Sequence, residues 1–408
     1  MKDCLARIFR AESGQVLASL ACFSRDLQLA EDALQDASEQ GSKKWPEHGV
    51  PENPSAWLHL EAKRKLIDKL RQQHTQQSQQ KLQLIEQSLY MQSDSTAETG
   101  YEVPDERLRL IFTCCHPALN EVAQVALTLR TLCGLDVREI ARAYLTSETT
   151  IGQRITRAKK KIRDAGISYE VAKAEQLRFR LPSVLKVIYL IYNESYSAFE
   201  GQTLTRQDLA NEAIRSSLLM VKLIPTSEVF GLATLMLFHD ARRLSRSSLT
   251  DPYIPLEQQN GNLWDQAKVE QANAFIHQAL KYQERGSYQI QAAISALHSG
   301  AKSWCANDWP QIQLLYMSLL QLHPSPVVAL NLAIAMANGG QLKQAFEDVI
   351  TLSDELDQYQ PYHAARGELE SRLNMLEQAI CSINRAISLS ETSIERDFLI
   401  KKRGQLVK

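Results

Sequence analysis

Apolar residues recur at spacings of three and four along most of this chain, the signature of amphipathic helices. The pattern is sharpest between Leu127 and Arg163, where two short helical patterns meet at a three-residue turn. Ile151, Ile155, Ala158 and Ile162 fall at i, i+4, i+7 and i+11 and make one stripe. Ile140 and Tyr144 give the preceding helix a matching stripe, and Ala141 is small enough for the two to cross closely. Ser147 is placed to cap the second helix. Such a helix-turn-helix puts its second helix into a DNA major groove.

The polar side of that second helix carries the candidate chemistry. Thr149, Gln153, Thr156 and Lys160 lie opposite the apolar stripe, and Thr150, Arg154, Arg157 and Lys161 lie one step round. From Thr149 to Arg163 there are six Lys/Arg and no Asp/Glu. Gly152 costs a helix about 1 kcal/mol against Ala, and it clears room for close approach to a backbone. A solvated amphipathic helix would show the same charge, but not the paired helix, turn and cap.

Residues 1–72 give helical stripes at Leu5, Ile8 and Phe9, at Val16, Leu17 and Leu20, and at Leu27, Ala30, Ala33, Leu34 and Ala37. Glu31, Asp32 and Asp36 lie mostly off the stripes. A Pro/Gly-rich break from Trp45 to Pro54 precedes a helix over 55–71, with its basic residues at 63–71. Six glutamines among residues 72–80, then an acidic stretch, make 73–104 a linker. A second helical module spans 105–166, and helices fill the chain beyond Pro182. Near the C-terminus, Ala333, Leu342 and Ala345 recur 34 residues later as Gly367, Leu376 and Ala379, the period of a tetratricopeptide repeat. An earlier unit fits at Gly300, Ile312, Tyr316 and Pro324, one residue out of register. A generic stack of helical hairpins is the alternative. Two polar clusters, Asn193–Tyr196 and His239–Arg243, suit a hydrogen-bonded seam between domains better than a ligand site.

Composition adds a boundary to this picture. The net charge is −1, but residues 105–164 carry eleven Lys/Arg against seven Asp/Glu, and residues 182–408 carry twenty against twenty-three. That unevenness indicates a local nucleic-acid site, not a basic coat. No apolar run is long enough to span a membrane, and Lys2, Asp3, Arg7 and Arg10 interrupt any signal-peptide core. A cytoplasmic protein is expected. Seven cysteines without framework spacing point to reduced thiols. Cys114-Cys115-His116 lacks the spacing of a zinc knuckle and reads as a buried helix end. No phosphate loop, triad spacing or metal motif appears, so neither catalysis nor a cofactor is expected.

Taken in order, these motifs resemble a known family. Asp32-Ala-Leu-Gln-Asp36, Asn53-Pro-Ser-Ala-Trp57-Leu, the basic helix, the linker and the helix-turn-helix look like bacterial sigma factors of the extracytoplasmic-function type. The segments Arg107–Pro117 and Val187–Tyr196, with the long helical tail, resemble the subgroup with a C-terminal extension. The resemblance implies an all-α protein: region two over 1–72, a linker over 73–104, region four over 105–166, a helical extension over 182–290 and tetratricopeptide-like repeats over 291–408. It also implies promoter DNA and core RNA polymerase as partners, through the β′ clamp helices and the β flap. The extension would modulate activity and take a protein or ligand partner.

The resemblance assigns roles residue by residue. Asp32, Gln35 and Asp36 resemble the surface that docks on polymerase. Trp57, Lys63, Arg64, Lys65 and Arg71 resemble the helix that reads the −10 element; many members have Asn where Arg64 stands, which puts that preference in question. Trp57 would stack on a base or sit in the core. Thr149, Thr150, Gln153, Arg154 and Arg157 are candidates for reading the −35 element, since Arg can take guanine bidentately and Gln adenine. Lys159, Lys160, Lys161 and Arg163 would hold phosphates. The rival reading is a stand-alone helix-turn-helix regulator with a tetratricopeptide sensor.

Overall fold

The computed structural model describes residues 2–73, 106–143, 146–167, 174–197, 205–248, 253–301, 304–390 and 392–406. The expected linker, from residue 74 on, lies outside the described residues, as do Tyr144 and the side chains of Leu5, Ile8, Glu194 and Tyr196. Among the described residues there are nineteen α-helices, a few 3-10 turns and no strand, so the chain is all-α. It forms two compact units: residues up to 197 with 203–219, and the chain from Met220 onward.

In the first unit, α1 (Lys2–Ser24), α2 (Leu27–His48) and α3 (Pro54–Gln73) make a bundle. The turn into α2 uses Arg25 at φ 57°, and Asp26 caps the helix by accepting from the backbone N–H of Gln28 at 2.9 Å and of Leu29 at 3.1 Å. The expected break at Trp45 is shorter than the proline suggested, because α2 runs through Pro46 to His48. Trp45 is the reason: its ring is buried and stacks on Phe9 with centroids 4.8 Å apart. Pro46 removes only one N–H close to the helix end, and Gly49 at φ 86° closes it with a bond to the Trp45 carbonyl. Gly41 is required here, since a Cβ would lie 2.7 Å from the Phe9 ring.

Four helices follow: α4 (Glu106–Cys114), α5 (Glu121–Thr131), α6 (Val137–Ala143) and α7 (Glu148–Asp164). The first of them packs on α1, and Gly14 admits the chain so closely that a Cβ would fall 2.1 Å from the Leu132 carbonyl oxygen. Cys114 and Cys115 are buried at the end of α4, and burial pushes the Cys114 thiol up to about 12. Next, α8 (Ala174–Ser197) lays Leu181, Val184, Leu185 and Ile188 into the core beside α4 and α5, and Arg180 donates to the Phe112 carbonyl at 3.3 Å. Arg107 reaches Glu212 of α9 (Thr205–Leu223) at 2.5 Å. The first unit thus takes in α8 and most of α9, although the resemblance places the start of the extension at residue 182.

The second unit is built on α10 (Ser227–Ala241), buried nearly all round and flanked by α11 (Gln266–Ala279) and α12 (Ser287–Gly300). Glu228 accepts the backbone N–H of Gln289 at 3.0 Å and so caps α12. The polar cluster at 239–243 lies inside this unit and not between domains as expected: Asp240 takes Lys268 of α11 at 2.7 Å. Then come α13 (Trp309–Leu322), α14 (Pro326–Asn338), α15 (Leu342–Thr351), a single turn α16 (Ser353–Leu356), α17 (Gln360–Arg372), α18 (Leu376–Leu389) and α19 (Ser393–Leu406).

The 34-residue offset is visible in the backbone. Helices α14 and α17 begin and end 34 residues apart, and α15 and α18 begin 34 apart. The turns between them also correspond, with Gly340 at φ 94° and Asn374 at φ 66°. Glycine and asparagine are the residues that take this left-handed conformation most readily. Ala345 and Ala379 are buried at equivalent positions, and a Cβ on Gly367 would meet Ile383 at 2.9 Å. Gly300 does not share that role: it is exposed, and a Cβ there would meet nothing within 4 Å.

Candidate nucleic-acid interface

Helix α7 has the two faces its sequence requires. Ile151, Ile155, Ala158 and Ile162 are buried against α5 and α6, where Ile140 and Ala141 are buried in turn. Ser147 accepts the N–H of Thr150 at 3.2 Å and starts the helix. With its apolar stripe held in the core, the helix has to present the opposite face outward. Thr149, Gln153, Arg157, Lys160 and Lys161 are exposed, and Thr150 and Arg154 are half-buried at the flank. Arg154, Arg157, Lys160 and Lys161 have no ion-pair partner among the described residues. The arrangement is a row of unpaired donors on a rigid helix, suited to phosphate oxygens and base edges. Gly152 is not demanded by internal packing, since a Cβ there would meet only Val137 Cγ1 at 4.0 Å.

Lys159 is placed differently. It lies on the other flank of α7 and forms an ion pair with Glu31 of α2, both side chains largely buried. Around that pair, Arg25 to Gln28 of the α1–α2 turn and Thr156, Lys160 and Arg163 of α7 line a cleft of about 380 Å³. In this arrangement Lys159 is committed within the protein, unlike its neighbours in the basic run. Sequence reasoning missed Glu31 as its partner because the two are 128 positions apart, with no local signal linking them.

The acidic surface of α2 is accessible. Asp32 accepts from Gln28 Nε2 at 2.8 Å, Gln35 is exposed and donates to Glu39 at 3.3 Å, and Asp36 holds Lys69 of α3 at 2.9 Å. On α3, Leu58, Ala62 and Leu66 are fully buried. Trp57, Arg64 and Arg71 are seven apart and so share one face. Lys63 and Lys65 stand to either side, and partial burial lowers the Lys63 pKa from its ordinary value. Trp57 is half-buried, with its ring edge-on to Trp45 at 5.1 Å. The cations of this face have carboxylate neighbours. Arg64 and Lys65 lie 3.7 and 3.9 Å from Glu61, and Arg71 lies 3.7 Å from Asp68.

Similarity to known proteins agrees with the placement of α7. Residues 109–162 match the family described as sigma-70, region 4, and residues 180–280 match a family of unknown function, DUF6596. The region 4 match, which takes in the basic helix α7, supports a sigma-factor-like, DNA-binding protein of transcription initiation with a large helical C-terminal region. That class points to a transcription factor and not to an enzyme. An uncharacterized protein of Rhizobium meliloti (strain 1021) is 38% identical over 387 residues, covering 94% of this chain and 92% of the relative. The chain belongs to the same family as that protein. No helix among the described residues is long and apolar enough to cross a membrane.

Proposed function

We propose that this protein is a sigma factor of the extracytoplasmic-function type, which binds core RNA polymerase and directs it to a promoter. The observation that carries the reading is α7: a buried isoleucine stripe fixes a helix whose outer face bears unpaired cations and hydrogen-bonding side chains. In this reading Arg154, Gln153, Thr149, Thr150 and Arg157 read bases of the −35 element, and Lys160 and Lys161 hold its phosphates. Asp32, Gln35 and Asp36 dock on the β′ clamp helices, and region four meets the β flap. Trp57, Arg64 and Arg71, with Lys63 and Lys65 beside them, act at the −10 element, where a base leaves the stack and the strand backbone needs cations. The C-terminal helices, tetratricopeptide-like in their 34-residue period, modulate the sigma regions.

Run-off transcription with purified core polymerase tests this directly. A new start site on a candidate promoter, together with co-purification with core, supports the proposal. Failure of both, with duplex binding retained in the absence of polymerase, would favour the stand-alone regulator.

A further inference from the structure

A cleft of about 620 Å³ lies wholly within the second unit, between the segment 256–266 and the end of α12. Its volume is that of a small-molecule site. One wall is aromatic: His298 and Trp304 stack in parallel, interplanar angle 4°, and Trp309 buttresses Trp304 edge-on at 4.9 Å. Trp264 lines the opposite segment.

The hydrogen-bonding groups of this cleft can be sorted one by one. Asn307 donates from Nδ2 to the Trp304 carbonyl at 2.7 Å, which turns its Oδ1 toward His298 Nδ1 at 2.9 Å. His298 must therefore carry its proton on Nδ1, and as a neutral ring it leaves Nε2 as an acceptor. Trp264 Nε1 is a buried donor with no partner among the described residues. Gln258 and Asn262 are exposed amides lining the cleft. Among the described residues, no lysine or arginine lines the cleft, and Glu257 is the only charged one.

Aromatic side chains, one ring acceptor and neutral amides suit a ligand that is uncharged, has an apolar face, and can donate and accept at the same group. A sugar ring has these properties: its C–H face lies on an indole, and each hydroxyl both gives and takes a hydrogen bond. A phosphate or carboxylate ligand would meet no cation among the described lining residues. We propose that this cleft binds a neutral saccharide of one or two rings, making the C-terminal unit a sugar-responsive module. The inference does not depend on the sigma reading of the first unit.

Isothermal titration calorimetry of the full chain with glucose, galactose, N-acetylglucosamine, maltose and cellobiose tests it, with glucose 6-phosphate as the charged comparison. Saturable binding of at least one neutral sugar is expected. Trp304→Ala should weaken it roughly tenfold, the loss of a stacking surface, and Asn262→Ala roughly threefold, the loss of one hydrogen bond. Asn262 is exposed, so its variant keeps the test valid should Trp304→Ala fail to fold. Leu314→Ala, on an exposed helix face elsewhere in the unit, should change nothing. Absence of binding by all five sugars overturns the proposal, as does preference for glucose 6-phosphate or undiminished binding by both cleft variants.

Discussion

Helices α3 and α7 are both basic, both amphipathic, and both belong to the first unit, yet their cations are in opposite states. On α3, Arg64, Lys65 and Arg71 have carboxylates three or four residues away on the same helix, and Lys69 is held by Asp36 from α2. On α7, four cations of the outward face have no such partner among the described residues. Exposed pairs of this kind stabilise a protein by only about 0.2–1 kcal/mol, so they matter little to folding. They matter to the field. A phosphate approaching α7 meets uncompensated charge and releases its counterions. One approaching α3 must first displace a carboxylate. The difference fits a division in which α7 supplies affinity for duplex and α3 acts only where strand and polymerase are already brought together.

The largest expected effect lies on α7. Arg154→Ala should cost about 1–3 kcal/mol at one base pair, roughly a 5- to 150-fold loss there. Binding to a set of duplexes with single base substitutions would show the preference at that position flattened. Equal losses on matched and scrambled sites would remove Arg154 from base reading. Arg64→Ala, already compensated by Glu61, should change duplex affinity far less. Next in size is the pair that ties the two halves of the unit. With Lys159 and Glu31 exposed by only 15% and 20%, Glu31→Gln leaves an ammonium poorly solvated without its counter-charge. A loss of about 1–3 kcal/mol is expected in denaturant unfolding, with duplex binding by α7 unchanged or improved as Lys159 is released. Unaltered stability would mean that the pair does not hold α7 to α2.

What the sequence disclosed follows the range of the interactions. The α7 stripe, its Ser147 cap and its exposed face are encoded within sixteen residues, so spacing alone located them. The 34-residue period was legible for the same reason, being the same short pattern written twice. Three things were not legible. The Lys159–Glu31 pair joins positions far apart in the chain. The continuation of α2 through Pro46 depends on Trp45 finding Phe9 from another helix. The incorporation of α8 in the first unit depends on Arg180 and a leucine face meeting helices more than fifty residues earlier. Local periodicity carries no information about any of them.

Gly152→Ala separates fold from function by sign. The added methyl has open space, so the free protein should gain about 1 kcal/mol from helix propensity. If a DNA backbone approaches there, duplex binding should fall while stability rises. Binding that keeps pace with stability would show that no backbone comes close at Gly152.

The smallest effect tests the comparison itself. Asp68→Asn should change stability by only about 0.2–1 kcal/mol, because its pair with Arg71 is exposed on both sides, and Glu61→Gln by more, because the Glu61 side chain is only 12% exposed. Together these changes unmask Arg64, Lys65 and Arg71. Duplex affinity should rise, and the dependence of log affinity on log salt should steepen by up to about 0.9 for each phosphate newly engaged. The rise should be indifferent to sequence, because added phosphate contacts carry no base information. Should affinity and salt slope both stay fixed, the carboxylates are not what keeps α3 from binding duplex, and the contrast between the two helices would have to rest on their accessibility instead.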